Sequence, residues 1–425
     1  MTNSEKSPDK FKTGIKKFLL VFGPGIITGA SDDDPSGIAT YSQAGAQFGL
    51  TTLWTALLTF PLMAAVQGMC ARIGIVTAQG LTVTLRQHYS KVFLYTMLLF
   101  SFPAITLNIG ADIQGMGAVA HMIFPQLPVS LYCVAFTAIL MFVIIRYPYQ
   151  QIAALLKWLC LSLLAYVVVP FMVKQDWGAV LRNTFIPTIL FNKDFFSIIV
   201  AILGTTISPY LFFWQATMEA EDMAHSVKKV IVNKRVLSNM KTDVNIGMFL
   251  SNAVMFFIIL CTGSILYNAG VRQIDTVDQA AKALEPLTGK MTSLVFASGV
   301  LGTGLLAIPV LAGSQSYMLA ETFGWEAGLD KKFPQARAFY ISIIISLLVG
   351  LSLDFLGISP IKALLYTAIS YGLTAPILIA IIMHIANNKA IMKKNTNSRL
   401  SNVLGFITLI LMSISAILLI YFLFQ

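Results

Sequence analysis

Three consecutive aspartates, Asp32, Asp33 and Asp34, followed at once by Pro35, stand in the middle of an apolar stretch that runs from about residue 19 to 49. A carboxylate at the centre of a bilayer costs about 2.5–3.5 kcal/mol even on the milder insertion scale, so three on a lipid-facing helix would be prohibitive. They must face protein, water or a cation. Pro35 cannot donate the helix hydrogen bond and Gly37 weakens the helix further. The sequence therefore predicts a break here, with backbone carbonyls left free beside the carboxylates. Carboxylates with free carbonyl oxygens form a ligand set for a cation, and interrupted helices at mid-membrane commonly carry ion sites. The competing expectation, two interfacial pieces joined by a polar turn, fits the lengths poorly: neither half spans, while the whole does.

Composition places this stretch in a membrane. Of 425 residues, 56% are hydrophobic and 11% charged, against about a quarter charged in soluble domains. That excludes an ordinary soluble domain, a disordered chain and a nucleic-acid-binding chain, despite the net charge of +10. Eleven apolar blocks read as helices over about 19–49, 52–71, 92–122, 129–145, 151–173, 196–222, 244–268, 291–321, 338–353, 361–386 and 403–424. Residues 1–18 read as a polar, basic tail with no cleavable signal. The polar connections near 73–91, 174–195, 223–243 and 270–290 read as connectors. Asp275, Asp278 and Glu285 in the last give it a mildly acidic, weakly ion-attracting character.

Alternating the blocks puts 21 lysines and arginines on the side of the N-terminus and 6 on the other, with Lys157 and Lys362 within or at the ends of spans. The positive-inside rule then predicts a cytoplasmic N-terminus, an extracytoplasmic C-terminus and a plasma (inner) membrane location. The net charge is mostly an orientation signal. Cys70, Cys133, Cys160 and Cys261 lie singly in apolar stretches and read as packing residues. His88, His121, His225 and His384 form no metal-binding motif.

A second break is predicted at Gly204-Thr205-Thr206-Ile207-Ser208-Pro209-Tyr210, in the centre of the sixth block. Broken helices one and six would open two five-helix halves, 19–173 and 196–387, with 403–424 as an additional eleventh helix. Such inverted repeats place a site at the midplane. Other polar positions at membrane depth are Asp112 in the third helix and Gln315 in the eighth. Asp112 reads either as a functional carboxylate or as a charge that fixes helix packing, with Lys157 as its candidate partner. Glu219, Glu221 and Asp222 read as a solvated end of the sixth helix. The tryptophans Trp54, Trp158 and Trp214 read as packing or interface anchors.

Three stretches, GPGIITGASDDDPSGIATYSQAGAQFG, LGTTISPYLFFWQA and LAGSQSYMLAETFG, resemble the first, sixth and eighth helices of the natural resistance-associated macrophage protein (Nramp) family of divalent-metal transporters. The resemblance implies a leucine-transporter-type fold with alternating access around a metal held between helices one and six. It implies that Asp34 is the metal-binding carboxylate and that the Ser31 carbonyl faces the metal. The sequence departs from the family where Gly37 stands for an asparagine, Ser208 for a methionine, Thr205 for an alanine and Tyr210 for a histidine. In the third helix the aspartate is kept as Asp112, but the glutamate three residues on is Gly115. Thr374 falls near a glutamine that the family places by the metal.

Loss of the thioether and gain of hydroxyls leaves an all-oxygen site, which suits a hard cation. Mg²⁺ keeps several of its waters and takes one or two carboxylates, and the pattern resembles the Nramp-related magnesium transporters. The expected metal-site residues are Asp34, Ser31, Gly37, Thr205 and Ser208. Asp32, Asp33, Tyr210, Asp112, Gln315 and Thr374 are expected beside the ion or along its path. The expected cargo is Mg²⁺, with Mn²⁺ also carried, without strict proton coupling. No cofactor is expected, and the expected surroundings are the lipid bilayer. The alternatives are a proton-coupled Mn²⁺/Fe²⁺ symporter, an organic-solute transporter of the same fold, and a membrane-embedded hydrolase. The last would have to use Asp34 with Asp112, but it lacks the Tyr-Asp and Gly-x-Gly-Asp motifs of intramembrane aspartyl proteases.

Overall fold

The computed structural model describes residues 23–148, 151, 163–225, 232–285, 291–357 and 359–424. The tail and residues 152–162 of the fifth predicted span, with Lys157, Trp158 and Cys160, lie outside the described residues. The main helices are α1 (Pro24–Asp32), α2 (Pro35–Phe48), α3 (Trp54–Thr77), α4 (Lys91–Ile123), α5 (Val129–Arg146), α6 (Lys193–Thr206), α7 (Pro209–His225), α8 (Lys234–Ile265), α9 (Thr292–Phe323), α10 (Arg337–Ser352), α11 (Pro360–Asn387) and α12 (Arg399–Leu423). Among the described residues nine helical spans, with α6 and α7 taken as one, are long and apolar enough to cross a membrane. The first predicted span is present as the pair α1 and α2.

Both predicted breaks are present. α1 stops at Asp32, and Asp34 caps α2, its carboxylate accepting from Gly37 N at 2.7 Å. α6 stops at Thr206 and Pro209 opens α7. A proline at the first helical position loses no intrahelical bond, so each proline serves as a helix start.

The connectors are more ordered than expected. α8 begins ten residues before the predicted 244, because Asn233 caps it, its side-chain oxygen accepting from Arg235 N (2.9 Å) and Val236 N (3.0 Å). Hydropathy loses such a helix where charge begins, but the backbone continues into the aqueous layer. The 73–91 connector holds a helix over Leu81–His88, whose Val83 N–H donates to Glu321 on α9 at 3.2 Å. Trp177–Phe185 and Val277–Ala281 are helical in the two other connectors.

α3 lies along α7, while α8 lies along both α1 and α2. The helix after each break thus packs on the broken helix of the other half, the reciprocal packing expected of repeated halves. Glycine allows the closest crossings. A Cβ on Gly29 would come within 2.3 Å of the Gly247 carbonyl oxygen, and one on Gly247 within 2.1 Å of Gly25 O. At the second break, a Cβ on Gly204 would lie 2.0 Å from Ala368 O of α11. Small residues at such crossings let membrane helices pack backbone to backbone. On the outside, Phe406, Ile410, Ile414 and Ile417 of α12 and Ile341, Ile345 and Leu348 of α10 are exposed, as lipid-facing side chains are.

The two pieces of the first span are tied at their far ends. Asp243 of α8 accepts from Gly23 N (3.2 Å) and Gly25 N (2.7 Å) at the start of α1. Thr28 donates to Gln215 of α7 at 2.6 Å, and Gln215 donates to Glu219 at 2.9 Å. Glu219, expected as part of a solvated helix end, is instead buried in this network. At the other end Gln43 of α2 donates to Arg272 O (3.2 Å) and accepts from Ile274 N (2.9 Å).

Two outcomes follow. Gly247→Leu forces α1 and α8 apart and should cost at least about 1–3 kcal/mol, as overpacking does, seen as a lower melting temperature in detergent. Asp243→Ala leaves two amide hydrogens without their acceptor, a loss of about 1–3 kcal/mol. Hydrogen exchange read by mass spectrometry should then quicken across residues 23–32 and remain unchanged across α12.

Candidate cation site

The three aspartates at the first break divide between two helices. Asp32 and Asp33 face α8, while the capping residue Asp34 faces α4. Asp32 accepts from Ser251 Oγ of α8 at 2.6 Å, and Asp33 lies 3.4 Å from the same hydroxyl. Asp34 faces the other way. Its Oδ1 accepts from Gly37 N, and its Oδ2 accepts from Asn108 Nδ2 of α4 at 2.8 Å. Asn108 also donates to Asp112 Oδ2 at 3.3 Å, one helical turn along α4. Thr367 of α11 donates to Asn108 Oδ1 at 3.0 Å and lies 3.3 Å from the Ser36 hydroxyl. Three helices, α2, α4 and α11, therefore meet at Asp34 through one amide.

These carboxylates are buried: Asp32 and Asp112 are 0% exposed, Asp34 2% and Asp33 5%. Among the described residues the one salt bridge is Lys331–Glu326, which is exposed. No fixed positive charge thus pairs with any of the four aspartates. Asp32 Oδ1 and Asp112 Oδ1 have no hydrogen-bond partner, nor have Gln315 Oε1 and the Tyr371 hydroxyl. A buried carboxylate without a partner requires a mobile cation or a proton. Among the described residues no three His, Cys, Asp or Glu side chains converge as a self-sufficient metal site. Amide, hydroxyl, carbonyl or water oxygens would have to complete one.

The hydroxyls are arranged differently from the expectation. Ser31 donates back to Ile27 O at 2.9 Å, and its carbonyl accepts from Tyr210 OH at 2.9 Å. Ser208 donates to Gly204 O at 3.1 Å and closely approaches the Thr205 carbonyl. Gly37 contributes its N–H, as a donor to Asp34. Thr205 is buried at the end of α6. Two tyrosines lace the breaks together: Tyr210 of α7 to Ser31 of α1, and Tyr41 of α2 to Thr206 of α6 at 3.1 Å.

Thr374 does not reach this cluster. It bonds back to Ser370 O and Tyr371 O within α11. The hydroxyl that α11 brings in is Thr367, seven residues or about two turns earlier. Tyr371, one turn after Thr367, packs its ring against Tyr210 at 5.9 Å. Gln315 reaches α4 below the cluster, donating to Thr106 Oγ1 at 2.6 Å and Phe102 O at 3.2 Å. The sequence reading passed over Asn108, Thr367, Tyr41, Ser251 and Asp243. Asn108 carried a usable signal, a lone amide at membrane depth one turn before Asp112. Lys157, the partner considered for Asp112, lies outside the described residues.

The relatives place this arrangement in a family. Residues 25–422 match the model of the natural resistance-associated macrophage protein-like family. A curated relative from Caldanaerobacter subterraneus subsp. tengcongensis, described as the divalent metal cation transporter MntH, is 26% identical over 400 residues, covering 92% of this chain and 90% of that protein. A second of the same description, from Staphylococcus aureus, is 23% identical and covers 100% of this chain and 98% of its own. Among solved structures, the Eremococcus coleocola manganese transporter superposes with a TM-score of 0.75 at 18% identity, covering 97% of this chain and 87% of that one. Mhp1, a nucleobase-cation-symport-1 family transporter, superposes with a TM-score of 0.56 at 14% identity, covering 93% and 91%. The fold is the leucine-transporter type that the resemblance implies, and the chain is a membrane transporter and not an enzyme. Matched over nearly its whole length, the chain belongs to the natural resistance-associated macrophage protein (Nramp) family.

Proposed function

We propose that this chain carries divalent metal cations across the membrane by alternating access, with Mg²⁺ preferred, Mn²⁺ also carried, and no obligatory proton coupling. The observation that carries the proposal is the set of four buried aspartates with no fixed counter-charge among the described residues, gathered at and beside a helix break. Asp34 supplies the charge. Oxygens of Ser31, Gly37, Thr205 and Ser208 line the remainder or hold the ion's waters, and Asp32, Asp33, Asp112 and Tyr210 flank the path. The curated relatives named above are described as divalent metal cation transporters and the structural neighbour as a manganese transporter, which supports the cargo class.

The preference for Mg²⁺ rests on ligand chemistry. Position 208 offers a hydroxyl, so the donors at the breaks are all oxygens, and hard oxygen ligands do not favour Mn²⁺ or Fe²⁺ as a thioether does. Weak coupling to protons rests on Gly115 and Tyr210, which offer no carboxylate or imidazole to relay a proton. The halves 19–173 and 196–387 move against each other, with the N-terminus in the cytoplasm. Asp33 and Asp34 act as the hinge, because α1 ends at Asp32 and α2 begins at Pro35. The Asp243 and Gln215 ties then form the inner closure and the Gln43 tie the outer one.

The test is uptake into liposomes with Mg²⁺, Mn²⁺ and Ca²⁺ in competition and internal pH recorded. Mg²⁺ uptake should proceed without stoichiometric acidification. Acidification driven by metal entry would instead support the proton-coupled Mn²⁺/Fe²⁺ reading. Asp34→Ala should abolish uptake while the protein still folds, and normal flux through it would overturn the proposal. Ser208→Met should raise Mn²⁺ over Mg²⁺ selectivity by roughly tenfold, a change of about 1.4 kcal/mol; an unchanged ratio would refute the selectivity argument.

A further inference from the structure

We propose that Asn108 is a switching ligand of the cation site, donating its amide N–H to Asp34 when the site is empty and turning its carbonyl oxygen to the ion when it is filled. This rests on the cation-transport reading and adds a residue and a movement to it. Asn108 is 0% exposed, sits within α4, and is the side-chain amide bonded to Asp34. On the other side of Asp34, Gly37 offers no side chain, and its N–H is committed to Oδ1.

The chemistry fixes which end of the amide faces the carboxylates. An ionised carboxylate only accepts hydrogen bonds, so an amide between two carboxylates presents its NH₂ to them. Nδ2 lies 2.8 Å from Asp34 and 3.3 Å from Asp112. A cation beside Asp34 reverses the demand. It repels the N–H hydrogens and attracts an oxygen, and an amide carbonyl is a ligand of the kind Mg²⁺ and Ca²⁺ take.

The far end of the amide permits the turn. Its present partner is a hydroxyl, which can donate or accept. With the NH₂ facing the carboxylates, Thr367 donates to Asn108 Oδ1 (3.0 Å), and Ser36 supplies the hydrogen for Leu364 O (3.0 Å). After the turn Nδ2 donates to Thr367 Oγ1, and Thr367 gives its own hydrogen to Leu364 O, already 2.8 Å away. The Thr367, Ser36 and Leu364 groups stay satisfied in both states, and the cation's charge replaces the two N–H groups that Asp34 and Asp112 give up. A lysine or a leucine at 108 could not serve both states. An amide backed by a hydroxyl can.

The experiment uses the full chain in detergent, with Mg²⁺ alone and Mn²⁺ alone as probes. Calorimetric titration compares wild type, Asn108→Leu and Asp34→Ala. Infrared difference spectra, with and without Mg²⁺, are taken on protein labelled with ¹³C at asparagine side-chain carbonyls. The expected result is at least about a tenfold loss of Mg²⁺ affinity in Asn108→Leu, equal to about 1.4 kcal/mol. A labelled carbonyl band should move to lower frequency on Mg²⁺ addition in wild type and be absent from the variant's difference spectrum. A purely structural bridge would leave that band unmoved. Should Asn108→Leu fail to fold, Asn108→Ser takes its place, and the wild-type spectrum still decides. No band shift in wild type, or wild-type affinity in the folded variant, overturns the role of Asn108 alone. Unchanged binding by Asp34→Ala overturns the cation site itself.

Discussion

Four carboxyl groups are held out of water with no arginine or lysine bonded to any of them among the described residues. An uncompensated buried charge is among the most costly features a membrane protein can carry. Much of the surrounding structure offsets it. The helix breaks so that Asp34 becomes a cap and gains a backbone N–H. Ser251 and Asn108 are brought in from α8 and α4 to supply further donors. These donors reduce the charge problem without removing it, because Asp32 Oδ1 and Asp112 Oδ1 remain without partners. The residual demand for positive charge is what the proposed cation would meet.

Close helix packing and the site are two parts of one arrangement. α8 can offer Ser251 to Asp32 because Gly247, one turn earlier, lets its backbone pass against Gly25 and Gly29. α11 can offer Thr367 to Asn108 because Ala368 lies against Gly204 at the second break. Small residues set the separation, and the polar side chains one turn away then reach. The same crossings leave each half of the broken span tied at its outer end, by Asp243 to α1 and by Gln43 to α2, with the hinge between them. Two helices joined by a short non-helical link and each tied at its outer end suit the alternating exposure proposed above.

Much of the architecture was legible in the chain. Apolar run length gave most of the spans to within a few residues, because the cost of exposing backbone and charge to lipid is local and large. Pro35 and Pro209 marked both breaks, since a missing N–H acts at its own position. The start of α8 was misplaced because an aqueous helix extension carries no hydropathy signal, only the cap at Asn233. Thr374 was named for its place near a family glutamine, while the hydroxyl that reaches Asn108 is Thr367, about two turns earlier on the same helix. Sequence position along α11 does not say at what height it meets α4.

The sequence by itself determined that the chain crosses a membrane repeatedly, that its first and sixth spans are interrupted, and that Asp34 stands at the first interruption. Each of these follows from residues within a few positions of one another. The tertiary structure alone decided that Asp32 and Asp33 face Ser251 of α8 while Asp34 faces α4. It also decided that Asn108, 74 positions from Asp34, holds that carboxylate, and that the hydroxyls of Ser31 and Ser208 bond back to their own helices. The physical reason is that a hydrogen-bond partner is chosen by the rotation and depth of packed helices. Those are set by close contacts such as Gly29 with Gly247, between residues far apart in the chain.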